Sequence, residues 1–536
     1  MADQTALAAR PRITGVTIPL FSLRTDRSWG IGEINDLAEF GAWVNTAGIK
    51  LVQILPLGEI SGNETSPYSA LSAFGIDPLF ISLSDVPDLI ESDLRAAVGG
   101  DVGITLLEQV RGADRIDYAN VRLLKARALR HAYEHFKQHD LAKRTPRAEV
   151  FEAFASHERG WLDDYALFRA LKDANNGIAW WDWSDALKNR EGGALQHARN
   201  EHADSVQYFK YTQWLAHEQW HDVRSKLAAI GVEVMGDLPF MVGRDSADVW
   251  SNQREFRLDM NVGVPPDQFD EDGQDWGLPP YNWMAMRQND FAWLRRRARY
   301  SGSLYNRFRI DHLVGFYRTY MRPMKSRNEK GKLVPGVFDP AEERAQIAHG
   351  ERVISAMSEA AAEKSARIVA EDLGIVPDAV RASLAELEVP GYKVLIWEKD
   401  DAVFRDPLKY PAVSVACFGT HDTDPVTTWW ESRDEAERTA VKQLAAWKDR
   451  AQHFGAKFTP EIHRAVLDLI QSAPSQLVLL LIQDIFAIRA RINTPGTQGP
   501  QNWTWRLPAP VRVMREDGGV KAALATVKAS IDATGR

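Results

Sequence analysis

The chain has 536 residues, 45% hydrophobic and 26% charged, with a formal net charge of −8 at pH 7. Acidic and basic residues are interspersed rather than blocked, so no electrostatic footprint for nucleic acid or an anionic membrane surface is present. A single cysteine, Cys417, excludes an intramolecular disulfide and any multi-cysteine metal site, and its apolar setting reads as burial.

Met1 to Arg12 lacks the apolar core of a signal peptide, and nowhere does an apolar run reach the length of about 18 residues that a membrane span needs. The expected location is cytoplasmic. Eight short apolar runs follow in order: Ile13 to Leu20, Lys50 to Leu57, Val232 to Phe240, Leu304 to His312, Arg367 to Gly374, Tyr392 to Glu398, Ala412 to Asp422 and Leu477 to Phe486. Continuous apolar strands separated by helical segments imply a parallel sheet buried on both faces. Eight of them imply a (β/α)₈ barrel, a fold that needs about 250 residues. The remainder of residues 1–536 is then insertion on a single catalytic unit. The spacing places a mainly helical insertion at 58–231 and a lid at 241–303, both projecting from the C-terminal face of the barrel, where barrel active sites sit.

Within the first insertion, Val121 to Lys137 puts Leu124, Ala128 and Tyr133 near one helical face, with Arg122, Lys125, Arg127 and Arg130 elsewhere, as expected of a solvated basic face. His217-Glu218-Gln219-Trp220-His221 matches the H-E-x-x-H zinc pattern. Its helix precedes a barrel strand on the outer ring, and spacing supplies no third ligand, so no metal is expected. Gly30-Ile31-Gly32 lacks the third glycine of a dinucleotide fingerprint. Of 18 tryptophans, Trp29, Trp180, Trp181, Trp183, Trp276, Trp283, Trp503 and Trp505 lie in loop-like polar contexts, where flat apolar faces suit interfaces or sugar rings.

Three of the runs end in acids: Asp311, Glu371 and Asp422. Arg309 and Asp311 stand two apart on a strand and so leave it on the same face. A guanidinium beside a carboxylate holds it ionised, which suits a nucleophile, although an isolated R-x-D reads equally as a structural ion pair. Carboxylates converging on a barrel mouth fit glycosyl transfer by double displacement, with one acid ionised to attack and another protonated to assist departure. Acids at strand ends also bind metals in other barrels, and that alternative stays open on spacing alone.

An ordered set of motifs resembles the amylomaltase, or 4-α-glucanotransferase, family. The matches are Trp29 to Gly32, Gln53 to Leu57, Ser66-Pro67-Tyr68, Gly236 to Pro239, Gly263 to Asp267, Gly273 to Pro279 with Tyr281-Asn282-Trp283, Arg309 to His312, Glu371 to Gly374, Gly419 to Asp422, and Asn493 to Gly496 followed by Asn502-Trp503. The resemblance implies Asp311 as nucleophile, Glu371 as general acid/base and Asp422 as transition-state stabiliser. It implies sugar-binding roles for Tyr68, Asp237, Asp267, Gln274, Trp276, Arg309, His312, His421 and Asn493. The expected partners are α-1,4-glucans and maltooligosaccharides, with no nucleic acid, membrane, cofactor or metal. An α-glucan hydrolase using the same acids, or a catalytically silent glucan-binding protein, are the alternatives. Departures from the family pattern at Asp77-Pro78, Leu313, Tyr392 and the Gly58 to Thr65 loop touch none of the three carboxylates.

Overall fold

Each of the eight apolar runs coincides, wholly or in part, with a strand of one closed parallel barrel in the computed structural model, which describes residues 11–62, 64–266, 272–325, 327, 331–447 and 449–536. The strands are β1 (Ile13–Thr17), β2 (Leu51–Gln53), β3 (Glu233–Leu238), β4 (Arg307–Ile310), β5 (Arg367–Ala370), β6 (Gly391–Val394), β7 (Ser414–Cys417) and β8 (Leu477–Leu481). Each pairs with its sequence neighbours, and β1 closes on β8 from Ile13 opposite Leu477 to Thr17 opposite Leu481. Both faces of the sheet are covered, which is why β8 reads Leu-Val-Leu-Leu-Leu without alternation and every one of its residues is buried. Cys417, at the end of β7, is buried as its setting implied. Among the described residues, no helix is long and apolar enough to cross a membrane.

Between β2 and β3 the chain forms a helical layer that includes Gly100–Gly112, Tyr118–Phe136, Pro146–His157 and Arg159–Ala174, before the 27-residue helix Ala203–Ala229 returns to the barrel. Helix starts carry the expected chemistry. Thr145 accepts a hydrogen bond from the Ala148 N–H ahead of Pro146 at the first helical position, and Asp117 accepts one from Asn120. On the Tyr118–Phe136 helix Leu124, Ala128 and Tyr133 face inward as expected. Lys125 does not lie on a solvated face. Its side chain is 1% exposed, with Nζ 2.6 Å from Glu33 and donating to the carbonyls of Leu79 and Ile81. A single basic residue on a helix has no sequence signature for this, because its partner lies in the turn after β1. Lys125→Met leaves Glu33 buried without its partner and strips two carbonyls of their donor. An unfolding titration in denaturant is expected to show a loss of about 3–5 kcal/mol.

In the H-E-x-x-H segment, both ring nitrogens of His217 have protein partners, the Gln213 carbonyl at 2.7 Å and the Tyr300 hydroxyl at 2.9 Å, while Glu218 and His221 are exposed. Among the described residues no group of three or more His, Cys, Asp or Glu side chains is arranged to hold a metal ion.

A four-stranded antiparallel sheet runs in the order Gln274–Asp275, Met260–Val264, Thr319–Pro323, Val337–Asp339. Two of its strands lie within 241–303 and two beyond β4. The tryptophans are a further difference. Trp29, Trp180, Trp183, Trp283, Trp503 and Trp505 are buried, Trp276 is half-buried, and Trp181 is exposed. Stacking insertions on the barrel turns loops into interior. Trp283, for instance, donates its indole N–H to Thr319 Oγ1 and packs its ring 4.6 Å from His349.

Candidate active site

Burial of β4 on both faces leaves Arg309 with almost no access to water, so its charge needs partners. They come from three barrel positions at the C-terminal ends of the strands. Arg309 Nη1 donates to Asp237 Oδ2 at 2.6 Å, Nη2 lies 2.7 Å from Asp311 Oδ1, and the same nitrogen lies 4.0 Å from Glu371 Oε2. Burial works against the charge on Arg309, but Asp237 and Asp311 outweigh it and hold the guanidinium well above its ordinary range. Asp311 Oδ1 and Glu371 Oε2 can stand no farther apart than the sum of those last two distances, a range that includes the spacing of about 5–5.5 Å found in retaining glycosidases.

Glu371 is held by backbone. The His312 N–H donates to Oε2 at 2.6 Å and the Leu373 N–H to Oε1 at 2.8 Å. His312 adopts a left-handed conformation, with φ 45°, which aims its N–H at the carboxylate. Burial pushes the Glu371 carboxyl up, Arg309 pulls it down and the Asp311 charge pushes it up again, and together these leave it at about 7. A carboxyl poised there can both give and take a proton near neutral pH.

The opposite wall is polar and aromatic. The Tyr68 hydroxyl donates to Asp237 Oδ2 at 2.7 Å and lies 3.1 Å from His421 Nε2, with the Tyr68 and His421 rings stacked 5.9 Å apart. Burial and the Asp237 charge keep that phenol protonated. Asp422, with 34% of its side chain exposed, has Oδ2 3.3 Å from His421 and accepts at Oδ1 from Asn493 Nδ2 at 2.6 Å. Asn493 therefore orients Asp422 with one N–H of its amide. Asp311 is 31% exposed, so both carboxylates open to solvent, while Glu371 is only 11% exposed.

On the lid side Trp276 sets its ring edge-on to His312, with centroids 5.0 Å apart, and donates to the exposed Gln274 side chain at 2.9 Å. Burial holds His312 below its ordinary range and hence neutral. Asp267 lies outside the described residues.

A family model described as 4-alpha-glucanotransferase matches residues 18–512. The chain belongs to the 4-alpha-glucanotransferase family. The 4-alpha-glucanotransferase of Thermus thermophilus is 32% identical over 534 residues, covering 96% of this chain and 98% of its own. That of Chlamydia pneumoniae is 30% identical over 506 residues, with 92% and 91% covered. The solved amylomaltase from Streptococcus agalactiae in complex with acarbose is similar with a TM-score of 0.80 at 26% identity, covering 98% of this chain and 99% of that one.

Two residues of this glucanotransferase site, Arg491 and Tyr392, were given no role by sequence reasoning, and a third, Trp503, was named only within a motif and as a loop aromatic. Arg491 donates to the Asp422 carbonyl at 2.6 Å and to Asp424 at 2.9 Å, fixing the loop that carries Asp422. Trp503 packs 5.9 Å from both Tyr68 and His421. Tyr392 lies with its ring 6.0 Å from the Arg309 guanidinium and accepts from Gln53 at 3.0 Å. Arg491 stands two residues from Asn493 and was within reach of the motif. Tyr392 registered only as a departure from the family pattern.

Proposed function

We propose that this enzyme moves α-1,4-glucan segments from a donor to the 4-hydroxyl of an acceptor glucan or glucose, by double displacement with net retention. The observation that carries the reading is the Arg309 cluster: one guanidinium holding Asp311 at 2.7 Å and lying 4.0 Å from a Glu371 whose carboxyl is pushed up to about 7. In the first half, an Asp311 oxygen attacks the anomeric carbon while Glu371 gives its proton to the departing glycosidic oxygen, and that chain leaves as an alcohol. In the second half, Glu371, now a carboxylate, takes the proton of the acceptor 4-hydroxyl. The freed oxygen attacks the same carbon and Asp311 is released. Asp422 faces the ring as positive charge builds there, held in place by Asn493 and His421. Tyr68, Arg309, His421 and Asp237 form the donor wall, and Gln274, Trp276 and His312 the acceptor side. No step calls for redox or phosphate chemistry.

Transfer in place of hydrolysis requires that a held sugar beat water to the glycosyl-enzyme. Orientation in a bound site supplies effective molarities on the order of 10⁵ M or more. Trp276 is half-buried and lies against His312, whose backbone N–H holds Glu371, so its face offers a stacking surface for an acceptor sugar. Trp283, expected from sequence to share that task, is 1% exposed and offers no face to a sugar. With maltotriose alone, transfer gives glucose and longer chains at a constant count of reducing ends. A rising count without products longer than the trisaccharide makes the enzyme a hydrolase and ends this reading. Trp276→Ala is expected to shift the balance toward hydrolysis.

A further inference from the structure

Arg322 lies on the Thr319–Pro323 strand opposite Asn261, and none of its surface reaches solvent. Nη1 donates to the Val334 carbonyl at 3.0 Å, and Nη2 to those of Asp272 at 2.7 Å and Val264 at 3.4 Å. These three carbonyls belong to three separate segments. Val264 ends the outgoing strand of the lid hairpin, Asp272 precedes the returning strand Gln274–Asp275, and Val334 leads into Val337–Asp339. A guanidinium delivers five N–H groups in one rigid plane and can fix three carbonyls at set spacings, whereas an ammonium is a point donor on a flexible stem.

The hairpin is shaped to admit that plane. A Cβ on Gly273, whose φ is +65°, would stand 2.7 Å from Arg322 Nη2 and 2.3 Å from the Val264 carbonyl, and one on Gly263 would meet the Gln274 carbonyl at 2.0 Å. Side chains at these positions would push the two strands away from Arg322.

What the hairpin presents is Trp276. Its backbone N–H donates to the Val262 carbonyl at 2.9 Å, and its ring stands T-shaped against that of His312. The position of the hairpin therefore sets where Trp276 stands relative to Asp311 and Glu371. Those two carboxylates hang on barrel contacts of their own. The Asp311 N–H donates to the Leu238 carbonyl and the Glu371 N–H to that of Ile310, both at 3.0 Å.

We propose that Arg322 is a positioning residue for the acceptor. It touches no sugar, but by pinning both strands of the hairpin it holds the Trp276 face where an incoming 4-hydroxyl reaches the glycosyl-enzyme. The inference rests on Trp276 being the acceptor surface.

The test uses the full-length enzyme, a maltosyl fluoride donor and glucose as acceptor. Arg322→Met is expected to leave fluoride release without acceptor near wild type, while the KM for glucose rises about 10–100-fold, the scale of loss when a reactant is misplaced by about 1 Å. The hydrolysed fraction rises with it, and Arg322→Lys falls between. In hydrogen exchange the Trp276 amide opens faster in Arg322→Met while the Asp311 amide keeps its protection. An unchanged acceptor KM and product ratio overturns the proposal, as does a parallel fall in donor cleavage and transfer. If Arg322→Met does not fold, the same readouts on Arg322→Lys decide the matter in the same way. Trp276→Ala, measured alongside, separates the two levels. If it leaves the product ratio unchanged, the acceptor reading fails and takes this inference with it. If it shifts the ratio and the folded Arg322 variants do not, only the role of Arg322 falls.

Discussion

Asp311→Asn is expected to lower turnover on α-1,4-glucans by on the order of 10⁴-fold or more while leaving the fold and glucan binding nearly intact, because an amide keeps the shape of the carboxylate but cannot form the glycosyl bond. The folding cost is expected to be small for a reason visible only in three dimensions. Read from sequence, loss of Asp311 strands Arg309. In the structure Arg309 Nη1 still holds Asp237 at 2.6 Å, so the buried guanidinium keeps one carboxylate partner when Asp311 is replaced. The substitution also removes the like charge that raises Glu371. The Glu371 carboxyl is expected to titrate lower in Asp311→Asn, which carboxyl carbon NMR can follow even though turnover is gone. Calorimetric binding of a long glucan checks that the site remains formed. Turnover within about tenfold of wild type removes Asp311 from the mechanism.

The barrel was legible because a strand covered on both faces needs no alternation, and runs such as β7 and β8 announce themselves as continuous apolar stretches. The carboxylates were legible because barrel geometry brings strand ends together whatever lies between them. Asp237, Asp311 and Glu371, far apart in the chain, meet at one guanidinium for that reason. Contacts that depend on how insertions stack left no such trace. Trp283 reads as a loop aromatic until His349 and Thr319 close over it. Lys125 reads as a surface cation until Glu33, in the turn after β1, is placed against it. The four-stranded antiparallel sheet escaped because its strands come from both sides of β4 and none of them reads as a continuous apolar run. One of them, Gln274–Asp275, has two residues and is defined only by its partner. Arg322 sits in a basic, polar stretch that resembles any exposed turn, and the three carbonyls that bind it carry no side-chain signature.

Glu371→Gln separates the two halves of the reaction. A natural glucan leaves as an alkoxide unless it receives a proton, so its cleavage is expected to fall by about 10²–10⁴-fold, the usual worth of general acid catalysis. A fluoride leaving group needs no such help, and glycosyl fluoride is expected to be cleaved at a rate near wild type. The second half then stalls, because a glutamine cannot take the proton of the acceptor hydroxyl, and the glycosyl-enzyme accumulates. Azide, an anion that attacks without giving up a proton, is expected to restore turnover and to give an α-glycosyl azide. The pH profile makes the same division. Glu371 must be protonated for the first half and its carboxyl sits at about 7, so kcat/KM on a natural glucan is expected to fall as pH rises through that value. With glycosyl fluoride that alkaline limb is expected to vanish, since no proton is donated. In a peptic digest of the stalled Glu371→Gln enzyme, mass spectrometry should find the sugar on the peptide containing Asp311. Its appearance on Asp422 instead, or an alkaline limb that survives with the fluoride donor, would mean that the roles of these acids have been wrongly divided.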